Sequence, residues 1–197
     1  MQKSVAFFDR QFSDQVQHSD LALNPFELMT RPYLAGQVLD FGCGLGNLSI
    51  AAAEDGCDVL ALDAAPTAIA HLRKVACERA LPITATEADL RCYQINGHFD
   101  AVVSIGLLMF FDRKTALAQL ARLKGSVRAG GTASINVLIE GTTFLDMFDP
   151  ASYCLFGRGE LADAFDGWDI LAEAYDDVQA PRATVKRFAT VIARKKA

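Results

Sequence analysis

The stretch Asp40-Phe41-Gly42-Cys43-Gly44-Leu45-Gly46 constrains this chain more than any other. An apolar run, Val38-Leu39, leads into it, and a helix-prone run, Leu48 to Glu54, leads out. That order reads as a strand, a glycine turn and a helix start. Glycines at alternate positions leave the backbone bare, so a ligand can lie against it. A second acid, Asp63, closes the next apolar run, Val59-Leu60-Ala61-Leu62. A glycine turn followed after about 20 residues by a strand-end carboxylate is how α/β folds hold a nucleoside.

The same alternation continues along the chain. Residues 3–17 read as an amphipathic helix with Val5, Phe8 and Phe12 on one side. Asn24-Pro25 reads as a cap and first turn, in a helix that stops near Pro32. Strands are expected at 37–41, 58–62, 83–87, 99–105 and 132–139. Helices are expected at 46–55, from Pro66 with Ile69, Leu72 and Ala76 inward, and after Asp112 with Leu117, Leu120 and Leu123 inward. Gly130-Gly131 reads as a turn and 140–157 as a long loop, with a helix at 159–165. Strands at 168–174 and 184–193, joined by a polar stretch ending in Pro181, have no helix between them, so the last strand should be antiparallel. Repeated strand–helix units imply a parallel sheet covered on both faces, with its ligand beyond the carboxyl ends of the strands. The glycine turn, Asp63, Asp89 and the segment Ser104 to Phe111 all fall at such ends.

The chain has 197 residues, 51% of them hydrophobic, which suits one globular domain. Its formal charge of −5 offers no basic face to a phosphate backbone, so no nucleic-acid partner is expected. No apolar run approaches a membrane span, and the N-terminal residues lack a signal-peptide pattern, so a cytoplasmic protein without a membrane partner is expected. Cys43, Cys57, Cys77, Cys92 and Cys154 contain no Cys-x-x-Cys pair, which argues against a zinc site or a disulfide framework and for small buried thiols. No metal is expected.

Two nucleoside cofactors compete. Gly44-Leu45-Gly46-Asn47-Leu48-Ser49 is one residue from Gly-x-Gly-x-x-Gly, so spacing leaves NAD and a dehydrogenase open. Charge favours the other choice. Asp40 beside the turn disfavours a pyrophosphate and suits a ligand with an ammonium and a sulfonium, and Asp89 adds an acceptor where an adenine amine can sit.

Val38 to Gly46 resembles motif one of the S-adenosylmethionine-dependent methyltransferases. Asp63-Ala64-Ala65-Pro66, Ala88-Asp89-Leu90, Phe99 to Ser104 and Arg128-Ala129-Gly130-Gly131 resemble later landmarks of that superfamily, in order, so that the likeness covers roughly residues 36–139. The resemblance implies a three-layer Rossmann-like α/β sandwich, with a seven-stranded, mostly parallel sheet, an antiparallel last strand and N-terminal helices as a lid. It divides the single domain into a lid (1–35), a cofactor core (36–139) and an acceptor side (140–197). It implies S-adenosyl-L-methionine as cofactor, with Asp40, Phe41, Gly42, Cys43, Gly44 and Gly46 near the methionine part. Asp63 and Ala64 would meet the ribose, and Asp89 and Leu90 the adenine, with Ser104 and Ile105 at the next strand end.

A narrower likeness joins Leu108-Met109-Phe110-Phe111, Gly159-Glu160-Leu161, Gly167-Trp168-Asp169 and Arg187 to Lys196 to the tellurite-resistance methyltransferases, which methylate small oxyanions. That family's acceptor site uses a histidine and arginines just before the last strand. Here His18, His71 and His98 all lie upstream, while Arg182 and Arg187 stand near the expected place. A small-molecule methyl acceptor is therefore expected, with Met109, Phe110, Arg182 and Arg187 as candidate acceptor residues and Phe7, Phe8 and Phe12 as candidate lid residues. No general base can be named, which also leaves open a cofactor-binding module without catalysis.

Overall fold

The computed structural model describes residues 3–18 and 21–197. Residues 1, 2, 19 and 20 of the expected lid lie outside that description. The chain runs α1 (Lys3–His18), α2 (Pro25–Thr30), β1 (Gln37–Phe41), α3 (Asn47–Glu54), β2 (Asp58–Asp63), α4 (Pro66–Glu78), β3 (Ile83–Glu87), β4 (Phe99–Ile105), α5 (Arg113–Gly125), β5 (Val127–Leu138), α6 (Glu160–Asp163), β6 (Asp169–Ala180) and β7 (Thr184–Arg194). The strands form one seven-stranded sheet in the order β3-β2-β1-β4-β5-β7-β6. β7 runs antiparallel to both its neighbours, and the other pairings are parallel.

Strand alternation sorts the core into two faces. Leu39, Phe41, Leu62 and Val102 pack with Leu120 and Leu123 of α5. Val38, Val59, Ala61, Ala101 and Val103 pack with Leu48 of α3 and Ile69 and Leu72 of α4. β1 and β4 are buried along nearly their whole length, as strands covered on both faces must be. The chain leaves β1 toward β2 and leaves β4 toward β5, so strand order reverses between β1 and β4. A crevice opens at such a point.

Four local expectations need correction. The inward stripe of α5 is Ala116, Gln119, Leu120 and Leu123, and Leu117 is exposed. Positions 116, 120 and 123 follow the helical period, whereas 117, 120 and 123 drift off it. Gly130-Gly131 lies inside a longer β5, where the pairing with β4 shifts register, rather than ending a turn before it. β6 continues to Ala180 and meets β7 through a tight turn with positive φ at Arg182 and Ala183, so most of the expected polar connection is strand. The α6 helix is also shorter than expected. Of the cysteines, Cys43, Cys57 and Cys154 are buried, while Cys77 and Cys92 are exposed. Among the described residues, no helix is long and apolar enough to cross a membrane.

Candidate cofactor and acceptor site

A cavity of about 370 Å³ lies beyond the carboxyl ends of β1, β2 and β4. The glycine turn forms its floor. Gly42 and Cys43 both donate their N–H to the carbonyl of Leu62, at 2.8 and 2.9 Å, which bends the turn toward β2. Asp63 then fastens it: Oδ2 accepts from Gly44 N at 2.9 Å and Oδ1 from Ala65 N at 2.8 Å. Gly44 has φ +52°, and a Cβ there would stand 3.1 Å from the ring of Phe12. A glycine at this point lets α1 come down onto the turn. α1 is held there by Asp9, whose Oδ1 accepts from Thr67 N at 3.0 Å. That bond caps the first turn of α4, whose own N-cap, Ala65, has no side chain able to do so.

Charge in the cavity is one-sided near the turn. Asp40 is buried, its Oδ2 accepts from Ser49 Oγ at 2.6 Å, and its carboxyl is pushed up to about 7. Burial is the main cause, opposed by the Ser49 hydrogen bond and reinforced by the charges of Glu27 and Asp63. Burial likewise raises Glu27, against the hydrogen bond its carboxylate accepts from Asn24 N. Asp63 is raised by burial too, against the backbone N–H groups that favour its charged form. These three carboxylates line the cavity near the glycine turn. A cation there relieves all three. The site therefore fits an adenosyl ligand with an ammonium and a sulfonium, and it opposes a diphosphate.

Asp89 stands apart. Arg91 grips it through two of its guanidinium nitrogens, Nε donating to Oδ1 at 2.8 Å and Nη2 to Oδ2, and this holds its carboxyl below the usual range. The adjoining loop is set by Gln119, fully buried on α5, whose Nε2 donates to the carbonyls of Leu90 (2.8 Å) and Arg91 (3.0 Å).

Of the residues expected around the cofactor, Asp40, Gly42, Cys43, Gly44 and Gly46 line the cavity, as do Asp63, Ala64, Asp89, Leu90 and Ile105. Phe41 and Ser104 do not. Alternation turns both to the α5 face of the sheet, where each is fully buried. Of the candidate acceptor residues, Met109 and Phe110 line the cavity, but Arg182 and Arg187 do not. Arg182 sits at the hairpin tip, bound to Asp146. Arg187 pairs with Asp177 across the β6–β7 ladder and covers Gly141. Two basic residues do line the cavity: Arg91, held by Asp89, and the neighbour of Arg187, Lys186, which shares a strand face with Phe188 and Thr190. Lys186, Glu27 and Asn136 are the residues that motif reading misses. Alternation along β7 from the apolar Phe188 signals Lys186. The spacing of Asn24 and Glu27 signals a capping box, which the structure contains.

A sheet in this order, with carboxylates gathered over the glycine turn, is the architecture of the S-adenosylmethionine-dependent methyltransferases. Residues 38–131 match the family described as a methyltransferase domain. Over these residues the chain is similar to the S-adenosylmethionine-dependent methyltransferases, TehB among them. The probable S-adenosyl-L-methionine-dependent methyltransferase TehB of Haemophilus influenzae is 26% identical over 167 residues, 81% of this chain and 57% of that protein. The crystal structure of Haemophilus influenzae TehB superposes with a TM-score of 0.76 at 23% identity, covering 89% of this chain and 63% of that one. A cypemycin N-terminal methyltransferase from a Streptomyces species is 34% identical over 123 residues, 62% of this chain and 46% of that protein. The N-methyltransferase NodS of Bradyrhizobium japonicum, solved with S-adenosyl-L-homocysteine, has the same fold, with a TM-score of 0.73 at 14% identity over 99% of this chain and the whole of that one. The chain thus spans about half the length of the curated relatives it matches. S-adenosylmethionine is the cofactor of this class.

Proposed function

We propose that this protein transfers a methyl group from S-adenosylmethionine to a small-molecule acceptor in the cytoplasm. The observation that carries the reading is the wall of Glu27, Asp40 and Asp63 above the glycine turn, because it selects a cationic adenosyl ligand. Bound there, the cofactor would supply an electrophilic methyl carbon on a positively charged sulfur, with S-adenosylhomocysteine as the leaving group for an acceptor lone pair.

The chain's own part is to hold and to exclude. Asp40 and Glu27 would take the ammonium, and the bare backbone at Gly42 and Gly44 would admit the methionine part. Asp63 would accept from the ribose hydroxyls with the lone pairs that Gly44 and Ala65 leave free. Leu90 and Asp89 would border the adenine, the loop being fixed from below by Gln119. Phe8 and Phe12 on α1 would close the cavity. Phe8 meets Phe110 edge-on at 5.2 Å between centroids, so α1 and the segment after β4 already form one apolar wall. Removing water in this way leaves positioning as the main source of acceleration. In this reading 1–35 forms the lid, 36–139 the cofactor core and 140–197 the acceptor side, and neither nucleic acid nor a membrane is the target.

Calorimetric titration with S-adenosylhomocysteine tests the reading. Binding with a matching rise in unfolding temperature is expected, together with methyl transfer to at least one member of a small-molecule panel. Absence of both heat and thermal stabilisation at millimolar ligand refutes it.

A further inference from the structure

The two ends of the cavity differ in charge. Glu27, Asp40 and Asp63 hold the end at the glycine turn. The other end is walled by Phe8, Met109, Phe110, Met147 and Phe188, and Lys186 supplies its cation. Lys186 is half-buried, and its ammonium stands 4.8 Å from the centre of the Phe144 ring. Among the described residues no carboxylate lies within ion-pair reach of it. Its neighbours in the hairpin are paired, Arg182 with Asp146 and Arg187 with Asp177. A cation drawn partly out of water without an anion is costly unless a ligand brings the missing charge.

A second unmet demand lies deeper. Asn136, on β5, is fully buried and lines the cavity. Its Nδ2 donates to Thr190 Oγ1 at 2.9 Å, and its Oδ1 has no partner. An orphaned buried amide oxygen in a cavity wall marks where a ligand N–H or O–H belongs. Asn136 is in register with both Ile105 of β4 and Thr190 of β7, so it sits next to the cofactor end. Lys186 is four residues before Thr190 on the same face of β7, roughly 13 Å away along the strand at about 3.3 Å per residue. Between them lie the aromatic walls.

We propose that the methyl acceptor is a small organic anion with a ring-sized apolar body: its carboxylate pairs with Lys186, its body lies against Phe8, Phe110 and Phe188, and a polar hydrogen at its far end donates to Asn136 Oδ1. This rests on the methyltransferase reading above. The Lys186 cation matches one negative charge, the flat walls match a ring, and the orphaned Asn136 oxygen matches one donor.

The test uses 4-hydroxybenzoate and its neutral isostere 4-hydroxybenzamide, each titrated calorimetrically into the full chain saturated with S-adenosylhomocysteine. The carboxylate should bind about tenfold more tightly than the amide, the worth of one charge-assisted hydrogen bond. Lys186→Gln should erase that preference, Lys186→Arg should keep most of it, and Asn136→Leu should weaken both probes alike. S-adenosylhomocysteine affinity is read first in every variant, so a lost cofactor site is distinguished from a lost acceptor end. If the wild-type chain fails to bind S-adenosylhomocysteine, the methyltransferase reading fails and the acceptor proposal falls with it. If the cofactor product binds, the acceptor proposal is overturned by equal affinity for the two probes, by a preference that survives Lys186→Gln, or by no saturable binding of either probe in the millimolar range.

Discussion

Asp40→Asn separates the stability of the empty protein from its affinity for cofactor, with opposite signs. The Asp40 carboxyl titrates at about 7 in the folded chain, against about 3.9 for an unperturbed aspartate. Each factor of ten in acidity is worth ~1.36 kcal/mol, so holding this group ionised in the empty fold costs about 4 kcal/mol. The folded state binds the proton more tightly than the unfolded chain does. The stability it lends is therefore fully present below about pH 4 and is lost as the pH rises through about 7. An asparagine keeps an oxygen for the Ser49 hydroxyl and never ionises. Without ligand, the stability gap in favour of Asp40→Asn should widen by about 2 to 3 kcal/mol between roughly pH 5 and pH 8. Urea unfolding of both proteins at a series of pH values measures it, because titrating groups remote from Asp40 are common to both and cancel. S-adenosylhomocysteine, with its ammonium, should then stabilise the wild-type chain more, its affinity exceeding the variant's by ~1–3 kcal/mol, the range of a hydrogen bond to a charged group. A gap that does not change with pH refutes the argument that Asp40 is a strained buried charge, and equal affinities remove it from the ligand site.

Three further outcomes are expected. Gly44→Ala puts a side chain at φ +52° and against Phe12; it should cost about 1–2 kcal/mol of stability and weaken S-adenosylhomocysteine binding, both readable in one thermal-shift titration. Gln119→Leu leaves the carbonyls of Leu90 and Arg91 without their buried donor, so stability should fall by about 1–3 kcal/mol and amide exchange should quicken in residues 89–92. Phe148→Ala removes a fully buried ring that packs on Phe110 and Tyr153; a loss of about 3–5 kcal/mol in chemical denaturation is expected.

Much of the fold was readable because its rules are local. Buried parallel strands announce themselves as short apolar runs, and Val38-Leu39, Val59 to Leu62 and Ala101 to Val103 all became strands within a residue or so of the expected bounds. Asp112 proved a side-chain cap for α5, accepting from Thr115 N. The misses are of another kind. Leu117 is more apolar than Ala116, yet the helical period turns Ala116 inward and leaves Leu117 exposed. The hairpin turn at Arg182-Ala183 lacks the glycine or asparagine that normally marks positive φ. In the site, strand-end acids and glycines were legible because chemistry and position coincide there. Lys186 was not, because nothing in the identity of adjacent basic residues shows which one faces the cavity; that depends on the parity of β7, and parity puts Arg187 on the opposite side. Asn136 gave no signal either, since its significance is a missing partner in three dimensions.

The bond between Asp9 and Thr67 N ties admission to the cavity to the integrity of a helix on the far side of the glycine turn. Were α1 to swing away as a lid, α4 would lose the acceptor that caps its first turn. The doorway and the first turn of α4 must then loosen together, so turnover would be paced by fraying of a helix that touches neither reactant.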